Sequence, residues 1–135
     1  MQLTPLVAIH MSAALAATAI GPIALWARRG RAQRPRLHRA FGYAWVTLMT
    51  ITATSAIFIK GTRIPGIGGF GPVHILIPVV FGFLILAFWF LAKGNINGHR
   101  KSMQGLFVGT CIAGIFTLVP GRYLHGALLG ALGIA

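Results

Sequence analysis

Five histidines, His10, His38, His74, His99 and His125, are the side chains of this sequence best suited to bind a metal or exchange a proton near neutral pH. No Asp or Glu accompanies them anywhere, while Lys and Arg number twelve, giving a formal charge of +12. A chain without carboxylates offers no paired-acid hydrolytic site, no carboxylate-held Mg or Ca, and no Asp-His relay. What remains open to it is imidazole chemistry: ligation of a metal or of haem iron, or plain hydrogen bonding. If it is an enzyme at all, electron transfer is the chemistry left to it. The arginines have no acidic side chain within the chain to pair with, so they must face water, anionic lipid head groups, carbonyls, a partner or the acid groups of a cofactor.

The elements that must position these residues are apolar. Hydrophobic residues make up 56% of the chain and charged residues only 9%, with a mean hydropathy of +0.81, a profile that excludes an ordinary water-soluble domain. Four hydrophobic stretches run from about Leu3 to Ala27, Ala40 to Ile59, Pro72 to Ala92 and Met103 to Val119. Each is long enough to approach or cross about 30 Å of hydrocarbon as a helix. The expected fold is therefore an all-α integral membrane bundle of four transmembrane helices in a single domain over residues 1–135. The tail from Tyr123 to Ala135 is too short to span and reads as an interfacial helix.

Several local signals refine this picture. The first span has no positive segment before it and a basic one after it, the reverse of a cleaved signal peptide. Its Ala-rich middle, Ser12 to Ala19, gives a flat face for a neighbouring helix, and Gly105 with Gly109 predicts a similar contact surface on the fourth span. Pro78 predicts a kink in the third. Cys111 falls inside the fourth span and reads as a small packed residue. Gly66, Gly68 and Gly71 match the spacing of a dinucleotide-binding loop, yet they join two membrane spans with no preceding strand and no acidic residue after them, so a flexible loop is the reading.

Orientation follows from the cations. Arg28, Arg29, Arg31, Arg34, Arg36 and Arg39 lie between the first two spans, and Lys93, Arg100 and Lys101 between the last two; Lys60, Arg63 and Arg122 lie on the other side. Nine against three places both basic loops in the cytoplasm and both termini outside, as expected of a multi-pass protein of the bacterial inner membrane. Charges confined to short loops between apolar spans also argue against nucleic acid as a partner. Trp26 and Trp89 fall at the inner interfaces this topology predicts.

The two halves repeat these signals in order: His10, Trp26, Gly30, His38-Arg39 and Arg63, then His74, Trp89, Gly94, His99-Arg100 and Arg122. Two tandem hairpins would bring His10 level with His74 near one surface and His38 level with His99 near the other. Three readings of those pairs are open. They anchor helix ends by bonding to backbone or head groups. They hold haem b axially, with Arg39, Arg100, Arg63 and Arg122 near its propionates or near lipid head groups. Or a soft metal such as copper sits on His10 with Met11, or on Met103 with Cys111.

The succession His10, Gly21-Pro22, Leu37-His38-Arg39 with Gly42, Gly69-Phe70-Gly71-Pro72 with His74, His99-Arg100 with Met103, and Pro120-Gly121-Arg122 resembles a bacterial membrane family, domain of unknown function 2306 (DUF2306), over nearly the full chain. The resemblance implies a four-span inner-membrane protein and no particular activity. The histidine arrangement is also similar in outline to that of membrane dihaem b-type cytochromes, with fewer spans here and with His38 and His99 nearer the surface. A haem-binding electron carrier is the leading functional expectation. The rival is a non-catalytic accessory or assembly subunit docked on a larger membrane complex or on copies of itself. A transport route would call for a mid-membrane ionisable residue, and no span carries one.

Overall fold

The computed structural model describes residues 4–31, 33–60, 72–118 and 123–134, and among them every regular element is helical. Helix α1 runs Pro5–Trp26, α2 Pro35–Phe58, α3 Leu76–Ala92, α4 Ile96–Phe116 and α5 Tyr123–Ala131; a 3-10 turn, Pro72–Ile75, leads into α3. Local chemistry sets the ends. Thr4 caps α1 through its hydroxyl, which accepts the Val7 amide at 3.3 Å, and Pro5 stands where a missing N–H costs nothing. Asn95 caps α4 in the same way, its Oδ1 accepting the Gly98 amide at 2.8 Å. That cap starts α4 seven residues before the expected apolar span, so His99, Arg100 and Lys101 ride on the helix rather than in a loop. Helix α2 likewise begins at Pro35, which puts Arg36, His38 and Arg39 on helix.

The prolines fall differently from the expectation. Pro78 lies in the first turn of α3, where the absent N–H is harmless, whereas Pro22 is the proline inside a helix. Lacking an N–H, Pro22 leaves the Thr18 carbonyl without its usual helical donor.

The main packing runs α1 on α2 and α3 on α4, with α2 against α3 and α1 against α4 closing the square. Two antiparallel hairpins therefore form the bundle, as the repeat predicts, and α1–α3 and α2–α4 are its diagonals. Small residues govern the closest approach: Ala13, Ala17, Gly21 and Ala24 are the buried positions along the middle and end of α1. At mid-height Ala17, Trp45, Met49, Leu84 and Leu106 form the core, with Phe107 and Met103 packed on it. A Cβ on Gly21 would stand 2.5 Å from the Phe107 ring and 3.0 Å from Trp45 Nε1, so only glycine admits these two side chains. The expected Gly105 and Gly109 contact differs. Both are exposed, nothing among the described residues approaches Gly109, and α4 instead buries Ser102 and Leu106.

Most large apolar side chains point outward. Helix α3 exposes Leu76, Val79, Phe83, Ile85, Leu86, Phe88 and Leu91. The chain's accessible surface is 9059 Å², whereas a water-soluble monomer of 14.4 kDa exposes about 6800 Å². Helices α1 and α2 are each long and apolar enough to cross a membrane, and α3 is a shorter apolar helix.

Candidate functional site

Each histidine reaches its position for a local reason. His38 and His99 are both the fourth residue of their helices, α2 and α4. From there each ring turns back onto the helix before it. The Nδ1–H of His38 donates to the Ala24 carbonyl at 2.8 Å, and that of His99 donates to the Ala87 carbonyl at 3.0 Å. The acceptor lies two residues before the tryptophan in both hairpins, Trp26 in one and Trp89 in the other. The Ala24 carbonyl is among the last four of α1, which lack intrahelical donors, whereas the Ala87 carbonyl lies one turn deeper in α3, where the Leu91 N–H also serves it. The same latch thus closes both hairpins at the basic end, and it survives a difference in connection: Ala27–Arg34 in the first, Lys93–Asn95 in the second. Gly30 and Gly94 turn these connections at φ of +57° and +72°, a region that favours glycine.

At the opposite end the symmetry breaks. His10 on α1 donates Nδ1–H to the Thr52 carbonyl at 2.9 Å, with Ser55 Oγ at 3.1 Å beside it. Ser55 hands its own proton to the Ile51 carbonyl at 2.7 Å, which leaves its oxygen able to accept from the imidazole. His74, in the turn that opens α3, donates Nε2–H to the Ile59 carbonyl at 2.8 Å. Both rings therefore converge on the last turns of α2, with acceptors separated by about 10 Å of helix rise. His10 bonds inside its own hairpin, whereas His74 bonds across to the other one.

A carbonyl only accepts, so the ring nitrogen facing it must carry the proton. In the neutral imidazole that leaves Nε2 of His10, His38 and His99 as the lone-pair nitrogen. A ligating histidine is held in this way, its second nitrogen fixed by a backbone carbonyl. The structure brings each expected pair to one end of the bundle, on diagonal helices: His10 of α1 with His74 before α3, His38 of α2 with His99 of α4. His125 lies half-buried on α5, apart from both tiers.

The soft-metal sets do not converge. His10 and Met11 are consecutive on a helix and so point about 100° apart, and Met103 and Cys111 are separated by about 12 Å of rise along α4. Among the described residues no three His, Cys, Asp or Glu side chains cluster for a metal.

Arg39 and Arg100 directly follow the latch histidines and are exposed; Arg63 and Arg122 lie outside the described residues. All six arginines of the first connection and its flanks, from Arg28 to Arg39, are exposed at the basic end, with Lys93, Arg100 and Lys101 beside them. Arg28 Nη1 donates to Gln33 Oε1 at 3.0 Å, Gln33 Nε2 donates to the Gly30 carbonyl at 3.0 Å, and the Arg34 guanidinium lies 5.5 Å from the centre of the Trp26 ring. Trp26 and Trp89, 51% and 53% exposed, mark the same level on the two hairpins.

Sequence reasoning overlooked Trp45. It is 3% exposed at the centre of the bundle, and its indole N–H has no hydrogen-bond partner among the described residues. The aromatic residue four positions before Met49 and opposite the Gly21 gap is the signal that marks it.

An all-helical bundle with an apolar exterior and a cation-rich end defines a membrane protein. The chain belongs to the family described as "Predicted membrane protein (DUF2306)", whose model matches residues 7–128. No curated protein and no solved structure matches it.

Proposed function

We propose that the chain is a four-span protein of the bacterial inner membrane that holds b-type haem between histidines of facing helices and carries electrons. The observation behind this reading is the placement of two histidine pairs on the diagonals of the bundle, with one ring nitrogen of each committed as a donor to backbone. That commitment fixes the orientation of the ring and, in a neutral imidazole, its tautomer, without any carboxylate. His38 with His99 would hold the group at the basic end, His10 with His74 at the other. Arg39 and Arg100 at one end, and Arg63 and Arg122 at the other, are cations suited to propionates or to lipid phosphates. When bound, haem iron supplies a one-electron couple; the chain's part is to orient the imidazoles and keep bulk water away. The cation count sets the proposed orientation, with both basic loops in the cytoplasm and both termini outside.

The test is a visible spectrum of the purified protein after expression with haem supplied. Reduced-minus-oxidised bands are expected, and they should weaken in His38→Ala/His99→Ala and in His10→Ala/His74→Ala. A colourless native protein overturns the reading.

One observation favours the second reading, an accessory subunit of a larger assembly. The histidines already have partners as helix-to-helix latches, a role that requires no ligand. Under that reading His10→Ala/His74→Ala lowers stability but leaves assembly and cellular function in place.

A further inference from the structure

We propose that the basic end of the bundle is a docking surface for anionic phospholipid head groups, which it selects over neutral ones. The proposal is independent of haem. Alternating helix direction brings both charged connections to one end, so the nine exposed cations there form a single surface. The chain contains no acidic side chain to neutralise any of them. Two of the arginines are held by the protein itself, Arg28 by Gln33 and Arg34 over Trp26, and these contacts tie the first connection down as a shaped element. Arg29 and Arg31 on the same connection, and Arg36 and Arg39 at the start of α2, are exposed as well.

The position of this surface identifies the partner. It continues directly into the apolar sides of the bundle, and Trp26 and Trp89 stand exposed at the join on both hairpins. Indole rings at that boundary are what a head-group layer accommodates. An acidic protein would explain the charge but not the paired tryptophans at the edge of an apolar belt. Phosphate accepts the guanidinium fork in a bidentate manner, and a lysine or arginine near an anionic leaflet strengthens attraction by about fivefold. With six arginines against three cations, the first hairpin should hold the larger share.

Quenching of tryptophan emission by brominated lipid tests this on the full chain in phosphatidylcholine nanodiscs. Brominated phosphatidylglycerol and brominated phosphatidylcholine are compared at the same mole fraction, with Trp26→Phe and Trp89→Phe assigning the signal to each hairpin. The buried Trp45 serves as the internal reference. Brominated phosphatidylglycerol should quench more strongly, and the excess should fall at high salt and in Arg29→Gln/Arg31→Gln/Arg36→Gln, more at Trp26 than at Trp89. Equal quenching by the two lipids in the native chain overturns the proposal without need of any variant. An excess that soluble polyglutamate removes at low concentration overturns it in favour of an acidic protein partner.

Discussion

Gly21→Ala is the substitution whose outcome the packing fixes most sharply. The new methyl would stand 2.5 and 2.6 Å from two atoms of the Phe107 ring and 3.0 Å from Trp45 Nε1. Neither ring can retreat easily, since Trp45 is in the core and Phe107 is packed upon it. Overpacking of this kind costs about 1–3 kcal/mol, against a gain of about 1 kcal/mol in helix propensity when glycine becomes alanine. The control is Gly82→Ala on α3, where none of the described residues lies within 4 Å of the added carbon, so the propensity gain acts alone. Subtracting one variant from the other cancels propensity and leaves the clash, about 1–3 kcal/mol in favour of Gly82→Ala. Thermal unfolding in detergent, followed by helical circular dichroism, reads the difference. Repeating Gly21→Ala in a Phe107→Leu background should recover most of the loss, because the ring edge is then gone; coupling of this size is ordinary for residues in contact. If Gly21→Ala and Gly82→Ala shift the midpoint equally in the native background, the close approach of α1 to the Trp45–Phe107 pair is wrong.

Further outcomes can be measured in the same way. His38→Ala should cost about 1–3 kcal/mol by leaving the Ala24 carbonyl at the end of α1 unpaired, and His99→Ala should cost less, because the Ala87 carbonyl keeps the Leu91 N–H of its own helix; equal losses in thermal unfolding would refute that difference. Trp45→Phe should be close to neutral, since shedding an unpaired buried N–H offsets lost volume, whereas Trp45→Ala should cost about 3–5 kcal/mol. Gly94→Ala should lose about 1–2 kcal/mol from its left-handed turn, a loss absent at Gly42, which is helical. Asn95→Ala should cost about 1 kcal/mol, and Asn95→Asp should retain most of the cap.

The hairpin architecture was legible because hydropathy, Gly-containing turns and His-Arg pairs recur in order, and those signals are local. Helix starts were less so. Charge at Arg36, Arg100 and Lys101 marks where an apolar span ends, but Pro35 and the Asn95 cap decide where a helix begins, and the two boundaries differ by up to two turns. The level of each histidine could be read, whereas its partner could not: backbone carbonyls carry no sequence signature, so nothing foretold that His74 reaches α2 of the other hairpin. Small-residue spacing was ambiguous for the same reason. It marks a close approach at Gly21 and an open face at Gly109, and only tertiary packing distinguishes them.

Because each latch is fastened directly between two helices, their registration does not depend on the length of the connection it spans. The first connection is already longer than the second while the histidine and its acceptor keep their places. A short reporter peptide spliced between Arg29 and Arg31 should therefore leave the bundle standing, which makes that stretch a natural port for tagging the molecule from one side.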